Sequence, residues 1–134
     1  MPNWNEQIIE EFHAKGGRGV AQFGDSLLLL TSKGAKSGEE RVTPVMYHRD
    51  GDAYVIVASK GGAPDNPAWY HNLKTHPEAI AEVGTERFPV RAREAEGEER
   101  DRLYADREKM APGFTDYRNK TSRRIPVMLL ERVS

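Results

Sequence analysis

Asp50-Gly51-Asp52 separates two strand-like runs, and no other feature restricts the fold of this chain as much. Arg41 to Arg49 alternates imperfectly between apolar and polar residues, and Ala53 to Ser59 is largely apolar. An Asp-Gly turn between such runs marks a tight hairpin, because Gly and Asp tolerate the positive φ that its short loop demands. The same punctuation recurs along the chain. Leu27 to Thr31 is a continuous apolar run, followed by the turn residues Gly34-Ala35-Lys36-Ser37-Gly38. Ala79 to Val83 and Arg87 to Ala95 read as strands joined around Gly84. Arg124 to Val133 reads as a last strand. Ile125, Val127 and Leu129 alternate there, but Met128 and Leu130 are apolar too, so both faces should be covered.

Helices interrupt this series three times. Residues 3–15 carry Trp4, Ile8, Ile9 and Phe12 at helical spacing. A second helix spans Asn66 to His76, with Asn66 as N-cap, Pro67 at the first helical position and Pro77 as the stop. The third, Glu98 to Met110, is highly charged, has Glu98 and Arg102 at i,i+4, and ends at Pro112-Gly113. About six short strands with a clear hairpin and few long crossovers predict an α+β fold. Its centre is a small, mostly antiparallel β-barrel with flanking helices, formed by residues 1–134 as a single domain.

Composition removes several functions. The 20 basic and 21 acidic residues leave a net charge of −1, which gives nucleic acid no electrostatic footprint. Without cysteine there is no disulfide, no thiolate metal site and no Cys nucleophile. The four histidines and the carboxylates do not form a metal-ligand pattern, and no Gly-x-Ser-x-Gly elbow is present. No apolar stretch is long enough to span a membrane, and the first residues lack the basic and apolar regions of a secretory signal, so a cytoplasmic location is expected. The stripe Trp4, Ile8, Ile9, Phe12 suits either packing on the barrel or a peripheral membrane contact. The first is favoured, since an amphipathic helix usually packs on its own core.

Ser59 to Leu73 carries the densest chemical signal. A strand end offers a hydroxyl (Ser59), a cation (Lys60) and two glycines (Gly61, Gly62) just before a helix start. Backbone N–H groups and a Lys can meet an anion at such a junction. Lys33, Lys36 and Arg41 flank the glycine turn, and if they converge with Lys60 they make a site for phosphate or carboxylates. Read as isolated charges, the same residues are ordinary solvated cations. A ligand site without evident acid–base machinery fits a reaction carried by a cofactor.

Leu30-Thr31-Ser32-Lys33-Gly34-Ala35-Lys36-Ser37-Gly38, Arg41-Val42-Thr43-Pro44, the block from Ala58 to Leu73 and Arg124-Ile125-Pro126 together resemble the deazaflavin (coenzyme F420)-dependent nitroreductase family. The resemblance runs in order from about Leu27 to Leu130. It implies a split β-barrel and a reductase that passes a hydride from reduced F420 to a quinone, enone or nitro acceptor. It also implies that Lys36, Ser37, Arg41 and Lys60 bind the anionic tail of the cofactor. Thr43, Pro44, Ala58, Ser59, Lys60 and Gly61 would line the ring, and Trp69 would close the pocket. By the same resemblance Met46, Ala111, Phe114 and Tyr117 border the acceptor, and Tyr117 or Ser59 supplies a proton or hydrogen bond.

The chain departs from the family pattern at several of these positions. Ala35 stands where some members have Arg, Met46 where they have an aromatic, and Ala111 and Phe114 where they have tyrosines. Reduction of quinones is therefore expected over reduction of nitroimidazoles. Two other readings stay open. One is an FMN-using split-barrel oxidoreductase, which a side-by-side titration of F420 and FMN separates. The other is a non-catalytic deazaflavin carrier, which turnover with a quinone excludes.

Overall fold

The computed structural model describes residues 4–20, 24–59, 65–111, 113–121 and 124–133. Six strands are present: β1 (Leu27–Lys33), β2 (Glu40–Asp50), β3 (Ala53–Val57), β4 (Glu78–Val83), β5 (Glu86–Glu94) and β6 (Val127–Arg132). They close into a barrel in the order β1-β2-β3-β6-β5-β4, and every neighbouring pair is antiparallel. The expected α+β barrel is thus observed. Asp50 pairs with Ala53, so Gly51 and Asp52 form the two-residue loop read from the sequence, with Gly51 at φ 58°. Closure leaves no unpaired sheet edge exposed to other chains.

Alternation along the strands divides the apolar residues into an inner and an outer set. Leu28, Leu30, Val45, Ile56, Phe88, Met128 and Leu130 fill the barrel. The helix α2 (Ala68–Thr75) closes one end, with Trp69 and Leu73 inserted into that interior. On the outside, α1 (Trp4–Lys15) covers Leu27 and Leu29 with Ile8 and Phe12. The apolar stripe is therefore engaged with the barrel, which removes the motive for lipid contact through Ile8 and Phe12. The side chain of Trp4 lies outside the described residues. At the end of α1, a Cβ on Gly17 would come within 2.9 Å of the Gly84 backbone, so glycine there permits the close approach of helix end and β4–β5 turn. No helix among the described residues is long and apolar enough to cross a membrane.

A second outer layer consists of α3 (Gly97–Met110) and α4 (Gly113–Lys120), which bury Val55, Val57, Val127 and Leu129 beneath Leu103, Tyr104 and Phe114. Both faces of β6 are covered, as its sequence requires. Each fully buried Leu in these layers contributes roughly 1.5–3 kcal/mol. Helix α3 ends at Met110, before Pro112-Gly113 as read. The sequence did not announce α4, because it has too little apolar periodicity and Phe114 is its one buried residue. Two local expectations need correction. Arg102 pairs with Asp50 of β2, at 3.0 and 3.2 Å, and not with Glu98, because α3 packs across the β2–β3 hairpin. Finally, α2 begins at Ala68 with Pro67 as its extended N-cap, one residue later than read, and no side chain caps it.

Candidate functional site

The turn after β1 is built by its own backbone and two small residues. Gly34 N–H donates to Glu39 O (2.8 Å), and Gly38 N–H donates to Gly34 O (2.9 Å). Glu39 N–H also donates to Ser37 Oγ, at 3.1 Å. A Cβ at Gly34 would fall 2.6 Å from Ser37 Oγ, so a side chain there would force that hydroxyl aside. Gly38 sits at φ 71°, the left-handed region that favours glycine. The turn is thereby folded tightly onto the start of β2, which brings Lys36 and Arg41 to one rim.

That rim borders a cavity of about 760 Å³ at the end of the barrel capped by α2. Lys36, Ser37, Arg41, Val42 and Thr43 form one side of it, Ala68, Trp69, His71 and Asn72 of α2 another, and Asn5, Glu6 and Ile9 of α1 a third. Arg41 meets Glu39 at 3.5 Å, and both side chains are well exposed. An exposed pair of that length is worth about 0–1 kcal/mol, so Arg41 can exchange it for a ligand anion at little cost. Trp69 is 7% exposed; most of its indole belongs to the barrel interior, and what reaches the cavity is an apolar wall. The cavity therefore combines Lys36 and Arg41 at one rim with an apolar face beside it, the combination that a flat ring with an anionic tail requires, while Glu40 and Glu6 put two carboxylates in the same lining. The residues present fit such a group.

Of the expected cofactor residues, Lys36, Ser37, Arg41, Thr43 and Trp69 line this one cavity. Lys33 does not join them; it borders a neighbouring groove with Arg91 and Glu78. Lys60 and Gly61 lie outside the described residues. Ala58 and Ser59 follow β3 and are buried, and Ala58 N–H donates to Pro126 O at 2.9 Å. Pro44 and Met46 pair with Leu29 and Leu27, so they share the outer barrel face covered by α1. Residues directly opposed on antiparallel strands share a face.

The expected acceptor residues do not line the cavity. Met46 packs with the α1 layer, whereas Ala111, Phe114 and Tyr117 belong to the α3–α4 layer. Phe114 and Tyr117 are in edge contact, with ring centroids 5.1 Å apart. The Tyr104 hydroxyl donates to Phe114 O at 2.6 Å and pins the start of α4. Arg107 connects this layer to the barrel. Its Nη1 donates to Tyr47 O (3.2 Å), and its guanidinium carbon lies 5.1 Å from the Phe114 ring centroid. Strand β2 runs between β1 and β3, so its outer face lies between the two helical layers.

Two groups of cavity residues, and one buried pair outside the cavity, escaped the sequence reading. Asn5 and Glu6 reach the cavity only through the docking of α1, which no local pattern encodes. Asn72 sits three residues after Trp69, a spacing that places both on one helix face, and this was the available signal. His48 and Arg107 are buried at 5% and 4% exposure. Both His48 ring nitrogens and Arg107 Nε lack partners among the described residues. Burial, and after it the Arg107 charge, holds the His48 imidazole below the usual histidine range, while Asp106 and Asp50 pull weakly the other way. Burial alone lowers the guanidinium of Arg107 from its ordinary value.

Known proteins resemble this chain over most of its length. Residues 4–132 match the family described as F420H(2)-dependent quinone reductase. An F420H(2)-dependent quinone reductase of Mycobacterium tuberculosis is 48% identical over 108 residues, which cover 78% of this chain and 72% of that protein. Among solved structures, one titled as an F420-H2 dependent reductase (FDR-A) is 40% identical with a TM-score of 0.73, covering 79% of this chain and 94% of that one. Another, titled as a domain-swapped dimer, is 37% identical with a TM-score of 0.75 and covers 93% of this chain and 92% of that one.

Proposed function

We infer the reaction from a premise the comparisons establish: the chain belongs to the F420H2-dependent quinone reductase family. It is an oxidoreductase whose cofactor is coenzyme F420. The family is named for quinones, so the quinone acceptor takes precedence over the nitro and enone acceptors that the sequence left open. The observation that carries the site assignment is the single cavity shared by Lys36, Arg41, Thr43 and Trp69.

When bound, the reduced deazaflavin supplies a hydride to the quinone. The protein has three tasks in that step. Lys36 and Arg41 hold the anionic tail, where charge-assisted hydrogen bonds are stronger than neutral ones. Thr43 and the Trp69 edge fix the plane of the ring, because hydride transfer needs reacting atoms roughly 3–3.5 Å apart. Helix α1, through Ile9, shelters one side of the site from water. The quinone gains two electrons with the hydride and one further proton to become the quinol. We assign donation of that proton, or of a hydrogen bond to the acceptor oxygen, to Tyr117 or Ser59. Met46, Ala111 and Phe114 are assigned to the acceptor wall although they lie in the layers beside the cavity and not in its lining, with Lys60 and Gly61 as further cofactor contacts.

Anaerobic oxidation of reduced F420 by menadione, followed by the cofactor's absorbance, tests the reading. Turnover that depends on both enzyme and quinone is expected. Tight cofactor binding without turnover would instead identify a carrier, and preference for FMN would identify a flavin enzyme.

A further inference from the structure

We propose that Asn72 is a positioning residue that ties the cofactor-tail turn to the helix carrying the ring wall, so that one side chain sets the spacing between the two halves of the site. The proposal rests on the assignment of the cavity to F420. Asn72 is 9% exposed and lies on the same buried face of α2 as Trp69 and Leu73. Its Oδ1 accepts the backbone N–H of Ala35 at 3.0 Å, across 37 residues of chain. Its Nδ2 donates to the hydroxyl of Ser32 at 3.5 Å, and Ser32 is 1% exposed at the end of β1. The side-chain amide thus bonds the last part of β1 and the turn that follows it.

The arrangement is informative because of what surrounds it. The hydrogen bonds inside the turn, Gly34 to Glu39 and Gly38 to Gly34, hold its shape but do not place it relative to the helix. The bond from Ala35 does so, and Ala35 directly precedes the cation Lys36. The same helix face seats Trp69 in the barrel interior, where close packing leaves it no freedom. Displacement of the turn would therefore move Lys36 relative to a wall that stays fixed. A ligand bound at both ends senses that distance, since pre-organised groups bind without an ordering cost. Asn suits the role because a primary amide both accepts and donates. A Leu of similar size would fill the volume and leave the buried Ser32 hydroxyl and the half-buried Ala35 N–H without their partner.

Asn72→Leu and Asn72→Asp test this in the full chain. Asp keeps the acceptor for Ala35 N–H and loses the donor to Ser32. Hydrogen exchange of the apoprotein should show the Ala35 amide exchanging at least tenfold faster in Asn72→Leu, with the β1–β6 amides unchanged, and still protected in Asn72→Asp. Equilibrium titration with F420 should give a dissociation constant at least tenfold higher for Asn72→Leu. The salt dependence of binding should keep its wild-type slope, because every cation is retained. An unchanged dissociation constant, or unchanged exchange at Ala35, overturns the proposal. Weakened binding with Ala35 still protected would mean that Asn72 touches the cofactor directly, which also overturns it. If Asn72→Leu fails to fold, Asn72→Ala takes its place: at least tenfold faster exchange at Ala35 is expected, and unchanged exchange overturns the proposal. Failure of the wild-type protein to bind F420 would remove the assigned function, while the exchange measurement would still decide whether the tether exists.

Discussion

Arg41 shows how little a single ion pair in a static structure says about function. Its contact with Glu39 is 3.5 Å long and solvated, so it adds almost nothing to stability. Its value lies in being replaceable by a ligand phosphate or carboxylate. Arg41→Ala should therefore leave the unfolding midpoint within experimental error. It should weaken F420 binding by about 1.5–3 kcal/mol, the usual worth of a hydrogen bond to a charged group. Denaturant melts and a cofactor titration on the same sample separate the two effects. Tyr117 is the counterpart proposed for the acceptor side. Its ring packs against Phe114, which Phe would reproduce, so Tyr117→Phe isolates the hydroxyl. A drop in quinone turnover with cofactor affinity unchanged is expected; an unaltered rate would reduce Tyr117 to packing. The charges around the glycine turn disclosed Arg41, whereas the role of Tyr117 came only from the family resemblance.

Elements behave differently, as the α3–α4 layer illustrates. The sequence of α3 is so charged that it reads as a solvated surface helix, yet Leu103, Tyr104 and Arg107 are buried. Arg107 brings a cation into the seam between this layer and β2, where it faces His48 and no carboxylate partner is recorded for it among the described residues. The His48 imidazole, held below the usual histidine range, gives that seam a pH response. Above the unfolded histidine pKa, about 6.5, both folded and unfolded chains carry it neutral, and its contribution is fully present. As pH falls below that value the unfolded chain takes the proton first, and stability declines until the folded imidazole also titrates. The slope from one group cannot exceed about 1.4 kcal/mol per pH unit. Urea melts at pH 7.5 and pH 5 should show a loss in the parent that is smaller in His48→Leu. An equal loss in both proteins would place the acid sensitivity elsewhere.

The whole molecule decides which cofactor the site prefers. Closure of the barrel, the α2 plug and the α1 cover put two cations and an apolar wall around one cavity. F420 presents more anionic groups than FMN, so it can use cations spread along the rim. F420 should bind at least an order of magnitude more tightly than FMN, and the difference should shrink as salt screens the tail. Parallel titrations at low and high ionic strength check both statements, and equal affinities would restore the FMN reading. The acceptor side points the same way at this scale. With Ala111 and Phe114 as the proposed acceptor wall, neither of which carries a hydroxyl, an orienting network for a nitro group would be thin, whereas a flat quinone can rely on stacking and burial. A site without donors discriminates poorly for groups that need them. Menadione turnover should exceed nitroimidazole turnover clearly; the reverse order would show that the acceptor lies against other residues.

Strand number, the Asp-Gly hairpin, the helix of the Trp-Tyr-His-Asn block and the cation set around the glycine turn were all determined by sequence, because each depends on residues a few positions apart. Turn chemistry and side-chain period act at that range. The sequence also indicated that β6 is covered on both faces, since Val127 to Leu130 are all apolar. Tertiary structure alone decided the rest. It made α4 a helix through the burial of Phe114 against Tyr104, a contact that local propensity cannot supply. It excluded Lys33 from the cavity, although it directly precedes the turn that holds Lys36. It carried Asn5 and Glu6 to the rim, and it brought Asn72 to Ala35 across 37 residues. These placements depend on how the layers dock around a closed barrel, and docking is set by the summed burial of surfaces distant in sequence, which no short window of residues contains.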